Sequence, residues 1–121
     1  MRLTSEAAPI LKRLMSATTL RRDVLANNIA SQNLPGYRRR EVNFEEKLAA
    51  ALDKGASDKE LMGVSPEVVL DWETPARADG NNVSAEQEAS LVTENRIRYE
   101  LYATILRSQQ SLVSQAIIHD R

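Results

Sequence analysis

The sequence of 121 residues contains no cysteine and only one histidine, His119. Without cysteine the chain cannot form a disulfide, a thiolate metal site or a cysteine nucleophile. One histidine beside the C-terminus does not supply a histidine metal cluster or a Ser-His-Asp triad. No Walker or G-x-G-x-x-G phosphate-binding pattern follows a predicted strand. We therefore expect a protein that is not an enzyme and that binds neither a cofactor nor a metal.

Long apolar runs and aromatic residues are also scarce. No run of about 18 apolar residues is present, so no transmembrane segment is predicted. The N-terminus lacks the apolar core of a cleaved secretory signal. The few aromatic residues argue against a compact core, because aromatics usually dominate core burial; they are Tyr37, Phe44, Trp72, Tyr99 and Tyr102. Apolar residues at 42% and charged residues at 27% suit helices with one apolar stripe.

Glycine and proline divide the chain into three segments. Three of the four glycines and two of the four prolines fall between residues 55 and 80. Helices are predicted on either side, from about Ser5 to Ser31 and, after a capping box that begins at Ser84, to about Ile118. The predicted fold is all-α, an elongated antiparallel hairpin or coiled coil of long N- and C-terminal helices with an irregular, partly extended middle. The predicted segments are 1–34, 35–83 and 84–121.

Both predicted helices carry a stripe of apolar and small residues at steps of three, four and seven. The C-terminal stripe is a heptad seam with polar residues at some core positions, and such residues set register in coiled coils. A helix of about 35 residues is about 50 Å long, so it needs a partner along its length. The predicted subunit-packing seam comprises Leu14, Val24, Asn28, Leu91, Val92, Asn95, Tyr99, Tyr102, Leu106 and Val113.

The middle of the chain is punctuated by turn signals. Leu34–Tyr37 contains Pro-Gly at its centre and predicts a type II turn. Asn43–Glu46 has the pattern of a capping box and predicts a short helix that ends near Leu52. Residues 56–83 are predicted to be a linker with one extended piece, Glu67–Trp72. We expect this linker to be loose, or to become ordered only against a partner.

Charge is unevenly distributed along the chain. Residues 1–40 carry a net charge of +6, residues 41–80 carry −6 and residues 81–121 carry −1. The first two parts could attract one another within one chain or between neighbours. Arg38–Arg40 could contact phosphate, but a solvated patch beside acidic Glu41, Glu45 and Glu46 is the favoured interpretation. The acidic middle argues against a nucleic-acid partner, for which a basic face is expected.

The sequence around the predicted turn, Leu25 to Arg38, resembles the N-terminal signature of the bacterial flagellar rod and hook proteins. The matching residues include those of a signature turn, namely Asn28, Ile29, Ala30, Pro35, Gly36 and Tyr37. Ser31 and Leu34 depart from the usual Asn and Thr of that signature. Three further segments are similar to those of proximal rod subunits, namely residues 41–48, 79–83 and 95–100.

The resemblance implies a structural subunit of the flagellar basal body rod. Such a subunit leaves the cytoplasm by the flagellar type III apparatus and polymerises in the periplasm into the helical shaft that transmits torque. The implied partners are further copies and other rod subunits, the ring–rod adaptor protein, the membrane-ring protein and the export gate. Phe44 and Leu48 match the spacing of an export-gate element in this family, and packing of a short helix explains them equally well. A cytosolic coiled-coil adaptor, or a different rod subunit, is the alternative.

Overall fold

The computed structural model describes residues 7–119, and within them it leaves aside the side chains of 7, 112, 113 and 116–119. In chain order, a short two-stranded sheet and two short helices lie between two long helices. The elements in chain order are α1 (Ala7–Ala30), β1 (Arg40–Asn43), α2 (Glu45–Asp53), α3 (Asp58–Met62), β2 (Glu67–Leu70) and α4 (Ala85–His119). The expectations for the side chains of Val113 and His119 lie outside the described residues.

The long helices α1 and α4 lie antiparallel, as the sequence predicts. Asn28 near the end of α1 contacts Glu88 near the start of α4, and Thr18 contacts Asn95 two turns further along. The predicted start of α4 is also confirmed, because Ser84 Oγ accepts a hydrogen bond from the Gln87 N–H at 3.4 Å. With 35 residues, α4 is about 50 Å long.

A two-stranded sheet makes the all-α prediction wrong, although the protein is mostly helical. Strands β1 and β2 pair antiparallel, in a register that sets Arg40 opposite Leu70 and Asn43 opposite Glu67. The pairing extends to Asp71, whose N–H donates to the carbonyl of Arg39 at 2.9 Å. The sheet lies against the helical hairpin, so the molecule is not a plain coiled coil.

The middle of the chain is more ordered than the predicted loose linker. The extended piece is confirmed as β2, which suits its β-branched Val68 and Val69. The short helix α3 was not predicted, and a complete capping box between Ser57 and Glu60 begins it. The prediction of a loose segment is wrong because contacts within the same chain order it.

A small apolar core lies where α1 meets α2 and α3. Ala17, Phe44, Leu48 and Leu61 form this core. Helix α2 is confirmed, but its predicted capping box is not. Phe44 occupies the N-cap position of α2 without a side-chain hydrogen bond, and its ring is buried in the core. Asn43 Oδ1, the predicted capping atom, is buried and has no hydrogen bond among the described residues.

Candidate functional site

Two segments that carry sequence signatures, residues 25–38 and 79–83, meet in one polar junction at the end of the α1–α4 hairpin where α1 ends and α4 begins. The C-terminal end of α1, the turn after it, β1, the loop before α4 and the first turns of α4 all contribute. We define the polar junction as Asn28, Tyr37, Arg39, Asp71, Asn81, Asn82 and Glu88. All of these residues are buried except Tyr37, which is half-buried.

Asn28 connects α1 to the sheet and to α4. Its side-chain amide donates to the carbonyl of Arg40 at 2.9 Å and to Glu88 Oε2 at 3.2 Å. Its oxygen accepts from the Tyr37 hydroxyl and from the Arg40 N–H, each at 3.0 Å. A buried amide is stable only when its donors and acceptors have partners, and Asn28, with 0% exposure, uses both of its atoms.

Arg39 is the central cation of the polar junction. It is 4% exposed, and its guanidinium contacts Glu88 through Nε and both Asp71 and Glu41 through Nη1. The Asp71 contact measures 2.9 Å. Burial alone would lower the pKa of Arg39, but the hydrogen bonds to the three carboxylates raise it well above its ordinary value. The expected solvated patch is therefore wrong for Arg39, because this side chain points inward while Arg38 and Arg40 point outward.

Asp71 and Asn82 attach the second strand and the following loop to Arg39. Burial would raise the pKa of Asp71, but hydrogen bonds from Thr74, Arg39 and the Glu73 N–H hold it far below its usual range. Asn82 accepts from the Arg39 N–H at 2.6 Å and donates to the Asp71 carbonyl at 3.0 Å. The carboxylate therefore stays ionised, and it pairs with a permanently charged partner.

The signature turn and the loop before α4 form a single structure. The Tyr37 N–H donates to the Leu34 carbonyl at 3.2 Å and Gly36 has φ +76°, which fits the predicted turn. Asn81 donates to the Ser31 and Leu34 carbonyls at 2.9 and 2.8 Å. A Cβ atom on Gly80 would lie 3.2 Å from the Gly36 Cα. The two motifs therefore depend on one another, although Gly36 and Gly80 are 44 positions apart in the sequence.

A second polar cluster joins both long helices to the start of α2. Arg21 donates to both oxygens of Glu45 at 2.9 and 2.8 Å, and Arg98 donates to Glu45 at 2.8 Å. Asn95 donates to the Thr18 carbonyl at 2.7 Å. Burial and, secondarily, Glu45 raise the pKa of the nearby Tyr102. Asn95 and Arg98 of the third signature segment thus also hold the hairpin together.

The seam residues predicted from the sequence mostly lie between α1 and α4. Asn28 and Asn95 are buried, and Tyr99 is 43% exposed. The others with described side chains are partly buried, namely Leu14, Val24, Leu91, Val92, Tyr102 and Leu106. In the signature turn, Ile29 is partly buried, whereas Ala30, Pro35 and Gly36 are exposed. The role of both sets in packing between subunits stays a prediction.

The two residues of the predicted export-gate element lie in the apolar core. Phe44 and Leu48 pack with Ala17 and Leu61. This placement supports the interpretation in which they pack a short helix. It does not test an export role, since that role belongs to the unfolded chain. The export-gate role therefore stays a prediction.

Glu88 and Asp71 are the structural residues that the sequence interpretation missed. Glu88 lies one heptad before Asn95, so extending that row toward the start of the helix would have identified it. Asp71 had no comparable signal, because its role depends on the pairing of two distant strands. The carboxylates of the polar junction hydrogen-bond to Arg39, which gives them a structural role. Within residues 7–119, no group of three or more potential ligands is arranged to hold a metal ion, and no described helix is long and apolar enough to cross a membrane.

Comparison with known proteins identifies the family. No family model matches the chain. The flagellar basal body rod protein FlgB of Borrelia hermsii is 30% identical in an alignment that covers 87% of this chain and 90% of that protein. FlgB of Borreliella burgdorferi is 30% identical over 77% of this chain and 82% of its own length. FlgB of Salmonella typhimurium is 28% identical over 74% of this chain and 76% of its own length. The chain therefore belongs to the FlgB family of flagellar basal body rod proteins.

Proposed function

We propose that the protein is a structural subunit of the flagellar basal body rod. The observation that carries this proposal is the alignment with FlgB of Borrelia hermsii along nearly the whole length of both chains. The described fold agrees with a structural role, since its buried polar side chains hold elements together. They bind one another and the backbone, as Asn28 and Arg39 do.

The outer surface of α4 supports an assembly role. Ile97, Leu101 and Ile105 follow one another at steps of four and are exposed by 57%, 54% and 37%. Helical spacing places Ile97 and Leu101 on the side of α4 away from Asn95 and Glu88, which face α1, and places Ile105 at the border of that side. We call these three residues the α4 stripe. A continuous apolar surface of this kind marks an interaction site, and neighbouring subunits of a rod would cover it.

The finer parts of the proposal follow from family membership. The subunit would occupy the proximal rod, in the periplasm, after export through the flagellar type III apparatus. Its neighbours would be copies of itself, other rod subunits, the ring–rod adaptor protein and the membrane-ring protein. The buried seam would stiffen each subunit, and contacts along α4 would pass torque between subunits.

Deletion of the gene tests the rod assignment. Purified basal bodies of the deletion strain should show membrane rings without a rod by electron microscopy, and the gene supplied in trans should restore the rod. Intact basal bodies in a swimming deletion strain with no second copy of the gene would contradict the assignment.

A secretion assay tests the export-gate element separately. Leu48→Ala should reduce the amount of exported protein, because it changes the docking element. Leu61→Ala is the matched control, since Leu61 lies in the same core but outside the element. Equal export of the two variants would show that Leu48 acts only through the core.

A further inference from the structure

One face of the two-stranded sheet is exposed, apolar and positively charged. Side chains alternate along a strand. Arg39 and Asp71 point toward Glu88, so the residues next to them in each strand lie on this opposite face. Of these, Trp72 is 70% exposed, and Leu34 of the signature turn borders the same shallow cavity. We define the outer sheet patch as Leu34, Arg38, Arg40, Val68, Leu70 and Trp72.

The two arginines of the outer sheet patch are held in place. The Arg38 guanidinium lies over the Trp72 ring at 4.4 Å and also donates to the Asp71 carbonyl at 3.2 Å. The Arg40 guanidinium lies over the Tyr37 ring at 5.1 Å. The exposed or partly exposed strand positions on this face, 38, 40, 68, 70 and 72, include no carboxylate. Trp and Arg are the residue types most enriched among interface hot spots, so this patch fits an apolar partner surface that carries acidic groups.

The α4 stripe has the complementary chemistry. Glu94 and Glu100 lie on opposite sides of Ile97 and Leu101 by helical spacing. Glu94 pairs with the partly exposed Arg98 of its own helix at 2.9 Å, and an i, i+4 pair of this kind contributes little net energy. The two glutamates are about 9 Å apart along the helix axis. Arg38 and Arg40 are about 7 Å apart along their strand, so one surface presents two cations and the other presents two carboxylates.

We propose that the outer sheet patch of one copy binds the α4 stripe of the next copy. This inference rests on the proposed function, in which copies of the chain are neighbours in the rod. Contact between two different surfaces is heterologous and can repeat along a helical filament. A contact between two outer sheet patches would instead bring the arginines of both copies together, and like charges across an interface repel. The occupant is therefore a second copy, through its α4.

A charge exchange tests the pairing in the assembled rod. Arg40→Glu and Glu100→Arg should each reduce the number of rods per cell at least tenfold, because each brings like charges together. The double variant should restore rods to within about threefold of the wild type. Arg22→Glu is the control, since Arg22 is an exposed arginine on α1, away from both surfaces. Failure of the double variant to assemble better than either single variant would overturn the proposed pairing.

Cross-linking tests the same contact directly, because the chain has no cysteine of its own. Cells that express Leu70→Cys and Leu101→Cys chains together should yield a disulfide-linked dimer in purified basal bodies under mild oxidation. Each variant expressed alone should yield none, and neither should Ala49→Cys, on the exposed side of α2, with Leu101→Cys. If either variant does not enter rods, Val68→Cys and Ile97→Cys repeat the test on the same two surfaces.

The outcomes separate this inference from the rod assignment. Variants that enter rods without forming the mixed dimer would overturn the inference and leave the rod assignment intact. Cross-linking of Leu101→Cys chains to each other would do the same, since it would place two α4 stripes together. Absence of the wild-type chain from purified basal bodies would overturn the proposed function itself.

Discussion

Asn28 uses its side chain to satisfy backbone groups of β1 and the hydroxyl of Tyr37. Asn28→Ala removes these partners and leaves the Arg40 N–H and carbonyl buried, at a cost of about 1–3 kcal/mol for each unsatisfied group. We expect a loss of about 2–4 kcal/mol in the free energy of unfolding, measured by urea denaturation. Asn27→Ala is the control, because exposed Asn27 donates only to the Tyr37 hydroxyl, and it should change stability by no more than about 0.5 kcal/mol. Equal losses would show that Asn28 is not the connecting residue.

Asp71 makes the stability of the protein depend on pH. Its pKa in the folded state lies below the value of about 3.9 in an unfolded chain, so ionised Asp71 stabilises the fold above that value. This contribution is lost progressively as the pH falls below about 5. Arg39 stays protonated throughout and adds no slope of its own.

The decrease in the free energy of unfolding at acid pH tests the role of Asp71. Asp71→Asn should cost about 1–3 kcal/mol at pH 7, because it removes one of the three carboxylates that pair with buried Arg39, and it should flatten the decline between pH 5 and pH 3. Urea midpoints measured across that range report both effects. A parallel decline in the wild type and the variant would assign the acid sensitivity to other carboxylates.

Single residues were predictable from the sequence only where the signature or the helical period marked them. Asn28 and Asn95 were identified as buried polar positions in a helical seam, and the structure buries both. Arg38, Arg39 and Arg40 are identical in the sequence and received one interpretation. Alternation along the strand points Arg39 inward and Arg38 and Arg40 outward. Because the strand was not predicted, Arg39 was wrongly expected to be exposed to solvent.

At the scale of elements, the signature turn and the loop before α4 fit together only without side chains at their contact. Gly80 has φ +86°, and a Cβ there would lie 3.2 Å from the Gly36 Cα. Gly80→Ala therefore combines backbone strain of about 1–2 kcal/mol with a clash against backbone. Gly55→Ala is the matched control, because Gly55 has φ +75° but open space around its Cα.

Thermal unfolding of the two glycine variants separates the contact from the strain. Gly55→Ala should lower stability by about 1–2 kcal/mol, and Gly80→Ala should lower it further. The difference measures the close approach of the two motifs. If Gly55→Ala were as damaging as Gly80→Ala, the contact between Gly36 and Gly80 would contribute nothing.

The long helices were predictable because their period repeats over many turns. Within the described residues, α1 ends and α4 begins close to the predicted positions. The pairing of the two strands was not predictable, because each strand has four residues and its partner lies more than twenty residues away in the sequence. Such short runs carry little periodic signal. The capping pattern at Asn43 failed because burial of Phe44 in the core outweighed a local hydrogen bond.

At the scale of the whole molecule, polar contacts tie the middle segment to both long helices. Arg39 links the sheet to α4, and Glu45 links α2 to α1 and α4. Among the described residues, the apolar core of Ala17, Phe44, Leu48 and Leu61 is small and packs α1 against α2 and α3. The hairpin and the middle segment should therefore unfold together, since neither buries enough surface to be stable without the other.

The α4 stripe lies outside all of these intramolecular contacts, so its substitution should affect assembly without affecting the fold. Leu101→Glu should change the free energy of unfolding by no more than about 0.5 kcal/mol, as expected for an exposed position, yet the variant should form no rods in a deletion strain. Arg96→Glu, on an exposed part of α4 away from the stripe, should form rods. Circular dichroism and urea unfolding of the purified chains, together with counts of rods by electron microscopy, measure both properties. Normal swimming with Leu101→Glu would mean that this face of α4 meets solvent in the assembled rod, because a glutamate buried there without a partner would not be tolerated.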